Sequence, residues 1–566
     1  MPTLDWIGKS AVVNHHREVP TRLLQCDSEL SFGDPDAGNL LVHGDNLEAL
    51  KALLPYYAGK IKCIYIDPPY NTGKDEWKYS DRVDDPIISE WLGKVVGAEA
   101  EDMTRHEKWL CMIYPRLRLL RDFISDDGII FCSIDHNEFA SLKLVMDSLF
   151  GRKNWLGDIV WKNATDNNPS RVVIEHEYIL VYAKDQSALP ATWSSPRSDV
   201  KLKIEEVANR LIETYSDDAE LETAYSKWFR ENKPHLWPFQ EYDCIDRGGV
   251  YTESRSVHNP GKEGYFWDLV HPNGKVTKKP LMGYRFPEDT RDDLLSRNEI
   301  VFGKDENQII RLKIPISRFA SKLPSVIELD GRRGSNEIRE IFPDQKRAFA
   351  NPKPTDLIGD LLSYVSGEDD IVMDAFSGSG TTGHATMALN NRAGGRRRYI
   401  LVEMGEETAR EVTSVRLSRV IGGYERKRRD GSTEPVLGLG GGFRFCTLGR
   451  SLFDEWGGVN EGITYADLAA FVFFSDTGSP IPTKATGESS LLGTFQGRAI
   501  YLLFTATSIG VASEGAGNVL TLSVLETLPP YDGPRVVYAE GCTVPAERLA
   551  AAGVVFKQVP YQLQAT

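Results

Sequence analysis

An apolar run, Ile61-Lys62-Cys63-Ile64-Tyr65-Ile66, stops abruptly at Asp67-Pro68-Pro69-Tyr70. That junction constrains the chain more than any other. The run reads as a buried strand. Two consecutive prolines can neither continue a central strand nor occupy a helix interior, and neither offers an N–H. The turn therefore presents acceptors: the Asp67 carboxylate and the backbone carbonyls around the prolines. Such a cluster at the carboxyl end of a strand, beside the Tyr70 ring, suits a planar amine donor such as the exocyclic amino group of a nucleobase. The competing reading is a proline-stiffened turn with an incidental tyrosine.

The rhythm around this turn is that of an α/β protein. Strand 39–43, closed by Gly44-Asp45-Asn46, leads to helical spacing over 47–57 and then to strand 61–66. Residues 71–102 are polar with few periodic apolar positions and predict a mobile loop with one short helix. Leu110, Ile113, Leu117 and Leu120 place one stripe on a helix over 109–123. A turn at Asp126-Asp127-Gly128 precedes strand 129–134, and 177–183 reads as another strand. Alternation of this kind predicts a mostly parallel sheet covered by helices. Residues 186–345 change character, from acidic helical segments to a Gly-, Pro- and aromatic-rich β module. The α/β rhythm returns from Lys353 to about Arg429. A glycine-rich joint over 438–442 then precedes strands at 499–504, 536–539 and 554–556, with a helix over 545–552. A chain of 566 residues exceeds one core. The expected division is an extension over 1–38, an α/β half over 39–185, an inserted domain over 186–345, a second α/β half over 346–430 and a C-terminal domain over 443–566.

A second motif bears on the first. Strand 371–376 runs into Ser377-Gly378-Ser379-Gly380-Thr381-Thr382-Gly383, followed by a helix over about 384–390. Glycines there let the backbone turn tightly and let a ligand approach it. Glu403 ends the next strand, 399–402, and lies 23 residues beyond Gly380. An acid at that distance from a glycine-rich strand–helix turn is placed to hold ribose hydroxyls. The spacing Gly378-x-Gly380-x-x-Gly383 taken literally also fits NAD. Asp374 on the strand and the acceptor turn at Asp67 have no obvious task in hydride chemistry.

Composition narrows the classes. The net charge of −15 argues mildly against nucleic acid, but it is an average. Arg396-Arg397-Arg398 and Arg426-Lys427-Arg428-Arg429 are basic clusters compatible with either a DNA cleft or a solvated face. Seven scattered cysteines (26, 63, 111, 132, 244, 446 and 542) show no C-x-x-C spacing and predict reduced thiols, with no metal site. No apolar stretch is long enough to span a bilayer. The first ten residues lack a secretory core, so the expected location is cytoplasmic. Gly8-Lys9-Ser10 lacks the glycine of a phosphate loop, since Thr3 stands there. Glu425-Arg426-Lys427 has no acidic partner that would make it a nuclease site.

Asp67 to Tyr70 together with Asp374 to Gly383 resembles the amino-methyltransferases of DNA that use S-adenosylmethionine. The catalytic turn comes first and the cofactor loop about 300 residues later, as in the beta-class arrangement. Residues 65–73, His271-Pro272-Asn273-Gly274-Lys275, 351–354, 401–404 and 556–562 further resemble the modification subunit of Type III restriction–modification systems. The resemblance implies a Rossmann-like methyltransferase sheet with helices on both faces, an inserted target-recognition domain and a small C-terminal α/β domain. It implies transfer of a methyl group to N6 of a flipped adenine in duplex DNA, with Asp67, Pro68, Pro69 and Tyr70 catalytic. Asp45, Lys353, Asp374, Phe376, Gly378, Ser379, Gly380, Thr381 and Glu403 would hold S-adenosylmethionine. Within that reading Asp374 sits by the ammonium end, Glu403 by the ribose, Asp45 by the adenine and Lys353-Pro354 by the methionine carboxylate. Tyr178 either lines the base pocket or is a half-buried strand aromatic. Arg247, Arg255, Lys275, Lys278, Lys279 and Arg285 are candidate DNA contacts in the insert. A homodimer and an ATP-dependent restriction subunit are the implied partners. The alternatives are N4-cytosine methylation, for which Ser in place of Asp67 is usual, and a non-catalytic recognition subunit serving a nuclease. An RNA or protein methyltransferase on the same scaffold is a further alternative.

Overall fold

The computed structural model describes residues 4–72, 104–163, 171–195, 199–233, 236, 239–254, 257–258, 261–319, 322–345, 347–427, 432–454, 456–505 and 518–559. Residues 73–102 of the loop expected over 71–102, and Arg255, Arg428, Arg429 and residues 560–562, lie outside the described residues. The chain divides into two compact units. One holds residues 1–191 and 324–566, the other Thr192–Leu323.

The first unit is built on a ten-stranded mixed sheet. Its strands are β1 (Arg22–Gly33), β2 (Leu40–His43), β3 (Ile61–Ile66), β4 (Ile124–Ile134), β5 (Trp155–Lys162), β6 (His176–Ala183), β7 (Val326–Glu328), β8 (Ile371–Asp374), β9 (Arg398–Glu403) and β10 (Gly442–Ser451). Their spatial order is β1-β10-β2-β9-β8-β3-β4-β6-β5-β7. The run from β10 to β4 is parallel, and antiparallel pairs occur on both flanks. The central strands read as continuous apolar runs because each face is covered. Leu40, Val42, Ile400 and Val402 pack on one side with helices α1 (Asn46–Tyr57) and α2 (Arg105–Phe123). Leu41, Tyr399 and Leu401 pack on the other with α3 (Arg332–Ile341) and α6 (Ser414–Gly422). Between these in sequence lie α4 (Thr355–Val365) and α5 (Thr381–Ala393).

Most expected elements appear with shifted ends. Helix α2 begins at Arg105 rather than 109, because Thr104 and Glu107 close a capping box. The Asp126-Gly128 turn is a bulge within β4, where the pairing with β3 slips between Ile124 and Ile129. Strands β1 and β5 have no counterpart among the sequence expectations. In β1 neither face is deeply buried, so hydrophobic alternation is weak.

Three expectations need correction. Composition puts residues 326–341 in the insert, yet β7 pairs with β5 and α3 packs in the first unit; a three-residue strand is too short to announce its sheet. The start of the C-terminal domain falls inside β10, which fills the sheet between β1 and β2. The thiols are not all reduced: Cys26 and Cys446 are joined in a disulfide, facing each other in register across β1 and β10. They lie 420 residues apart, beyond any spacing rule.

Beyond β10, a four-stranded sheet of residues 491–495, 498–502, 535–539 and 554–558 has cores of its own. The second unit carries acidic helices Asp199–Thr214 and Asp218–Asn232 and a four-stranded sheet that includes Gly249–Ser254 and Arg311–Pro315. Trp267 stacks on Tyr284 at 3.7 Å in its core. Among the described residues no helix is long and apolar enough to cross a membrane.

Candidate active site

The acceptor turn leaves the carboxyl end of β3, and the glycine loop leaves the carboxyl end of the adjacent strand β8. Ligands bind at that edge of a parallel sheet. Both turns open onto one cavity of about 870 Å³, lined entirely by residues of the first unit.

The turn is held from three sides. Trp109 on α2 donates from Nε1 to the Pro69 carbonyl at 2.7 Å. Asn71, in the left-handed region, donates to buried Glu138 at 2.5 Å. The Tyr65 hydroxyl and the Ser133 hydroxyl are 2.8 Å apart, tying β3 to β4. With Trp109 on Pro69, the Pro68 carbonyl receives no hydrogen bond among the described residues. Asp67 divides its two oxygens. Oδ2 meets the Lys353 ammonium at 2.8 Å, whereas Oδ1 is buried without a hydrogen-bond partner among the described residues. A buried acceptor left open costs free energy until something donates to it.

Lys353 sits in a segment, 351–354, that passes against α3. A side chain at Gly334 would place its Cβ 2.0 Å from the Pro352 carbonyl, so only glycine admits that approach. The ammonium donates to the Tyr70 hydroxyl at 2.8 Å and lies 3.3 Å from Glu177 Oε2. The Tyr70 hydroxyl donates in turn to Glu177 Oε2 at 2.8 Å. Desolvation works to lower the lysine's affinity for its proton, but Asp67 and Glu177 outweigh it and hold the ammonium charged well above the ordinary range. Burial, then the Asp67 and Glu177 charges, push the Tyr70 phenol far above its usual value, so it stays neutral.

The glycine loop is knitted from beneath. Asp374 accepts from the Phe376 amide at 3.0 Å and from the Thr382 hydroxyl at 2.5 Å. Burial raises its carboxyl to about 7, against the opposing pull of those two bonds. Glu403 accepts from the Gly378 amide at 2.8 Å and the Gly405 amide at 2.9 Å. Arg416, fully buried on α6, reaches up to Ser379 Oγ at 3.0 Å and Thr381 Oγ1 at 2.8 Å. Gly380 caps α5 with φ 77°, a left-handed conformation that suits glycine. The Ser377 hydroxyl is buried without a partner among the described residues, and its residue lines the cavity.

Of the sequence-derived residues, Asp67, Pro68, Pro69, Tyr70, Lys353, Asp374, Phe376, Gly378, Ser379, Thr381 and Glu403 line the cavity together. Gly380 and Asp45 do not. Asp45 caps α1 and pairs with Arg116 at 2.9 Å, while its neighbour Asn46 lines the cavity and donates to the Ala375 carbonyl. Lys353, expected on the cofactor side, instead commits its ammonium to Asp67, Tyr70 and Glu177. Tyr178 packs on Phe139 and bonds His176; its neighbours His176 and Glu177 are the ones that line the cavity. Of the basic residues of the second unit, Arg247, Lys275 and Lys279 are paired with Asp218, Glu306 and Asp268. Glu177, Arg416 and Ser377 are site residues that sequence reasoning does not single out. A lone acid at the head of the apolar strand 176–183 is the available signal for Glu177.

The sequence model of the N6/N4 methylase family, described as DNA methylase, matches residues 61–414. The chain is 46% identical over 420 residues to the Type III restriction-modification enzyme EcoP15I Mod subunit of Escherichia coli, covering 72% of this chain and 65% of that one. It is 29% identical over 536 residues to the Type III restriction-modification enzyme StyLTI Mod subunit of Salmonella typhimurium, covering 87% and 76%. The chain thus spans just under two thirds of the E. coli relative's length. A crystal structure of a putative DNA modification methylase from Thermus thermophilus, complexed with S-adenosyl-L-methionine, aligns over 66% of this chain and 91% of that one, at 14% identity and a TM-score of 0.28.

Proposed function

We propose that this chain, which belongs to the N6/N4 DNA methylase family, transfers a methyl group from S-adenosylmethionine to N6 of an adenine flipped out of duplex DNA. The observation that carries the reading is Asp67 Oδ1, a buried acceptor without a partner among the described residues, in the same cavity as the glycine loop. An exocyclic amino group has two N–H bonds and a lone pair delocalised into its ring. Asp67 Oδ1 and the Pro68 carbonyl are suited to accept those two N–H bonds, which holds the nitrogen in place and draws its lone pair out of conjugation. The chain thereby supplies orientation and electrostatics rather than a covalent intermediate. Tyr70, neutral and fixed at its hydroxyl, offers a ring face to the base. A base inside a duplex cannot reach such a cavity, so it must leave the stack.

The residues present fit the cofactor. Asp374 and Glu403 give the glycine side an acidic lining, which suits a molecule with an ammonium and a sulfonium, and the open Ser377 hydroxyl offers a further polar contact. When bound, S-adenosylmethionine supplies an electrophilic methyl group. Phe376 and Gly378 would wall its methionine part, Asp374 its ammonium and Glu403 its ribose. Aspartate at position 67 favours adenine N6 over cytosine N4. By likeness to Mod subunits, the proposed setting is a restriction–modification system acting in the cytoplasm, with a restriction subunit as partner and a homodimer as the assembly.

Labelled methyl transfer to DNA, paired with methylome sequencing of an expressing host, tests the function and identifies the base. Asp67→Ala is expected to abolish transfer while leaving cofactor affinity within about threefold, and Glu403→Ala to weaken cofactor binding first. Near-normal turnover in Asp67→Ala, or label on cytosine alone, sinks the adenine reading.

A further inference from the structure

Resting on the methyl-transfer reading above, we propose that Glu177 is a positioning residue whose negative charge neutralises Lys353, so that the Asp67 carboxylate stays available to the reacting amino nitrogen. Three observations carry this. The Lys353 ammonium has three N–H bonds, and three acceptors surround it: Asp67 Oδ2, the Tyr70 hydroxyl and Glu177 Oε2. Glu177 is itself fixed, since its Oε1 accepts from Asn163 Nδ2 at 2.6 Å and its Oε2 from the Tyr70 hydroxyl. All these side chains line the cavity.

The charges decide what the cluster does. As the amino nitrogen takes the methyl group, an N–C bond forms and the S–C bond breaks, with the bonding pair staying on sulfur. Positive charge therefore passes from sulfur to the nitrogen, which then releases a proton to Asp67 Oδ1 and on to water. A lone Asp67–Lys353 pair would be neutral overall and would offer that developing charge little. With Glu177 in place the cluster carries one net negative charge, and Lys353 still pins Oδ2 so that Oδ1 faces the base. Because Lys353, Asp67 and Glu177 are largely withdrawn from water, such a fixed, prearranged charge acts more strongly than it would in solvent on a charge that appears only in the transition state. Glu177 also orients Tyr70, so the stacking ring and the acceptor oxygen are set by the same cation.

The test is a double-mutant cycle on the full-length enzyme, with Glu177→Gln, Lys353→Met and the pair combined. Glutamine keeps a carbonyl acceptor for the Tyr70 hydroxyl and removes the charge; its NH2 then faces Asn163, whose side-chain amide can turn to present Oδ1. Glu177→Gln is expected to lower kcat by about 10- to 100-fold, with KM for DNA and the calorimetric Kd for S-adenosylmethionine within about twofold. Lys353→Met leaves two carboxylates facing each other and is expected to lose as much. The double variant restores the single net negative charge and should recover at least tenfold over Glu177→Gln. Losses that simply multiply in the double variant mean a merely structural role and overturn the proposal. So does a Glu177→Gln enzyme with unchanged kcat, or one whose cofactor Kd rises tenfold with kcat intact. A wild-type enzyme that moves no methyl to DNA overturns the methyl-transfer reading and this inference with it; an active wild type beside an unaffected Glu177→Gln overturns this inference alone.

Discussion

The Asp374 carboxyl is 3% exposed and stays protonated up to about pH 7 because burial penalises its charged form more than its two hydrogen bonds help it. Ionising Asp374 inside the fold costs stability; the cost is absent below the unfolded value of 3.8, grows as pH rises, and is complete above about 7. A cationic ligand selects the ionised form. Cofactor affinity should therefore strengthen as pH rises toward about 7 and level off above it, with proton release on binding below that point. Calorimetry in two buffers of different ionisation enthalpy measures the release, and Asp374→Asn should flatten the profile. Asp67, Asp374 and Glu403 are legible in the sequence because each belongs with residues of strong backbone demands, proline in one turn and glycine in the other. Glu177 and Arg416 are not, because an acid at a strand head and an arginine on an apolar helix have many uses until their partners are known.

At the level of elements, the sheet contributes edges and the helices contribute anchors. Helix α5 starts at Thr381, three residues before the expected His384, because Gly380 in its left-handed conformation makes the turn directly into the helix. Alanine there would bring its Cβ to 2.9 Å from Thr413 Cγ2 and oppose the positive φ. Gly380→Ala is expected to cost about 1–2 kcal/mol of stability and to weaken cofactor binding more than DNA binding; denaturant melts and titration calorimetry report the two effects separately. The helices over 47–57 and 109–123 are legible from apolar spacing. The edge strand β1 is not, since a strand only partly buried on either face leaves no periodic mark.

For the whole molecule, the disulfide between Cys26 and Cys446 joins the outer strand β1 to β10. Thiol titration in denaturant without reductant should count five reactive cysteines and, after reduction, seven; seven at the outset would exclude the bridge. Strand β10 also shows why the division of the chain could not be read from composition alone. The glycine-rich joint at 438–442 has the look of a linker, yet the chain beyond it returns to complete the central sheet. Local residue chemistry by itself determined the two turns, the strands that carry them and the apolar helices, because those depend on neighbours within a few residues. Tertiary structure alone decided which charges meet. Tyr70 reaches Glu177 across 107 residues and Lys353 across 283, and only the order of strands and the close pass at Gly334 bring them to one cavity. A Coulomb interaction depends on separation in space, and sequence distance carries no information about that once the chain has folded back on itself.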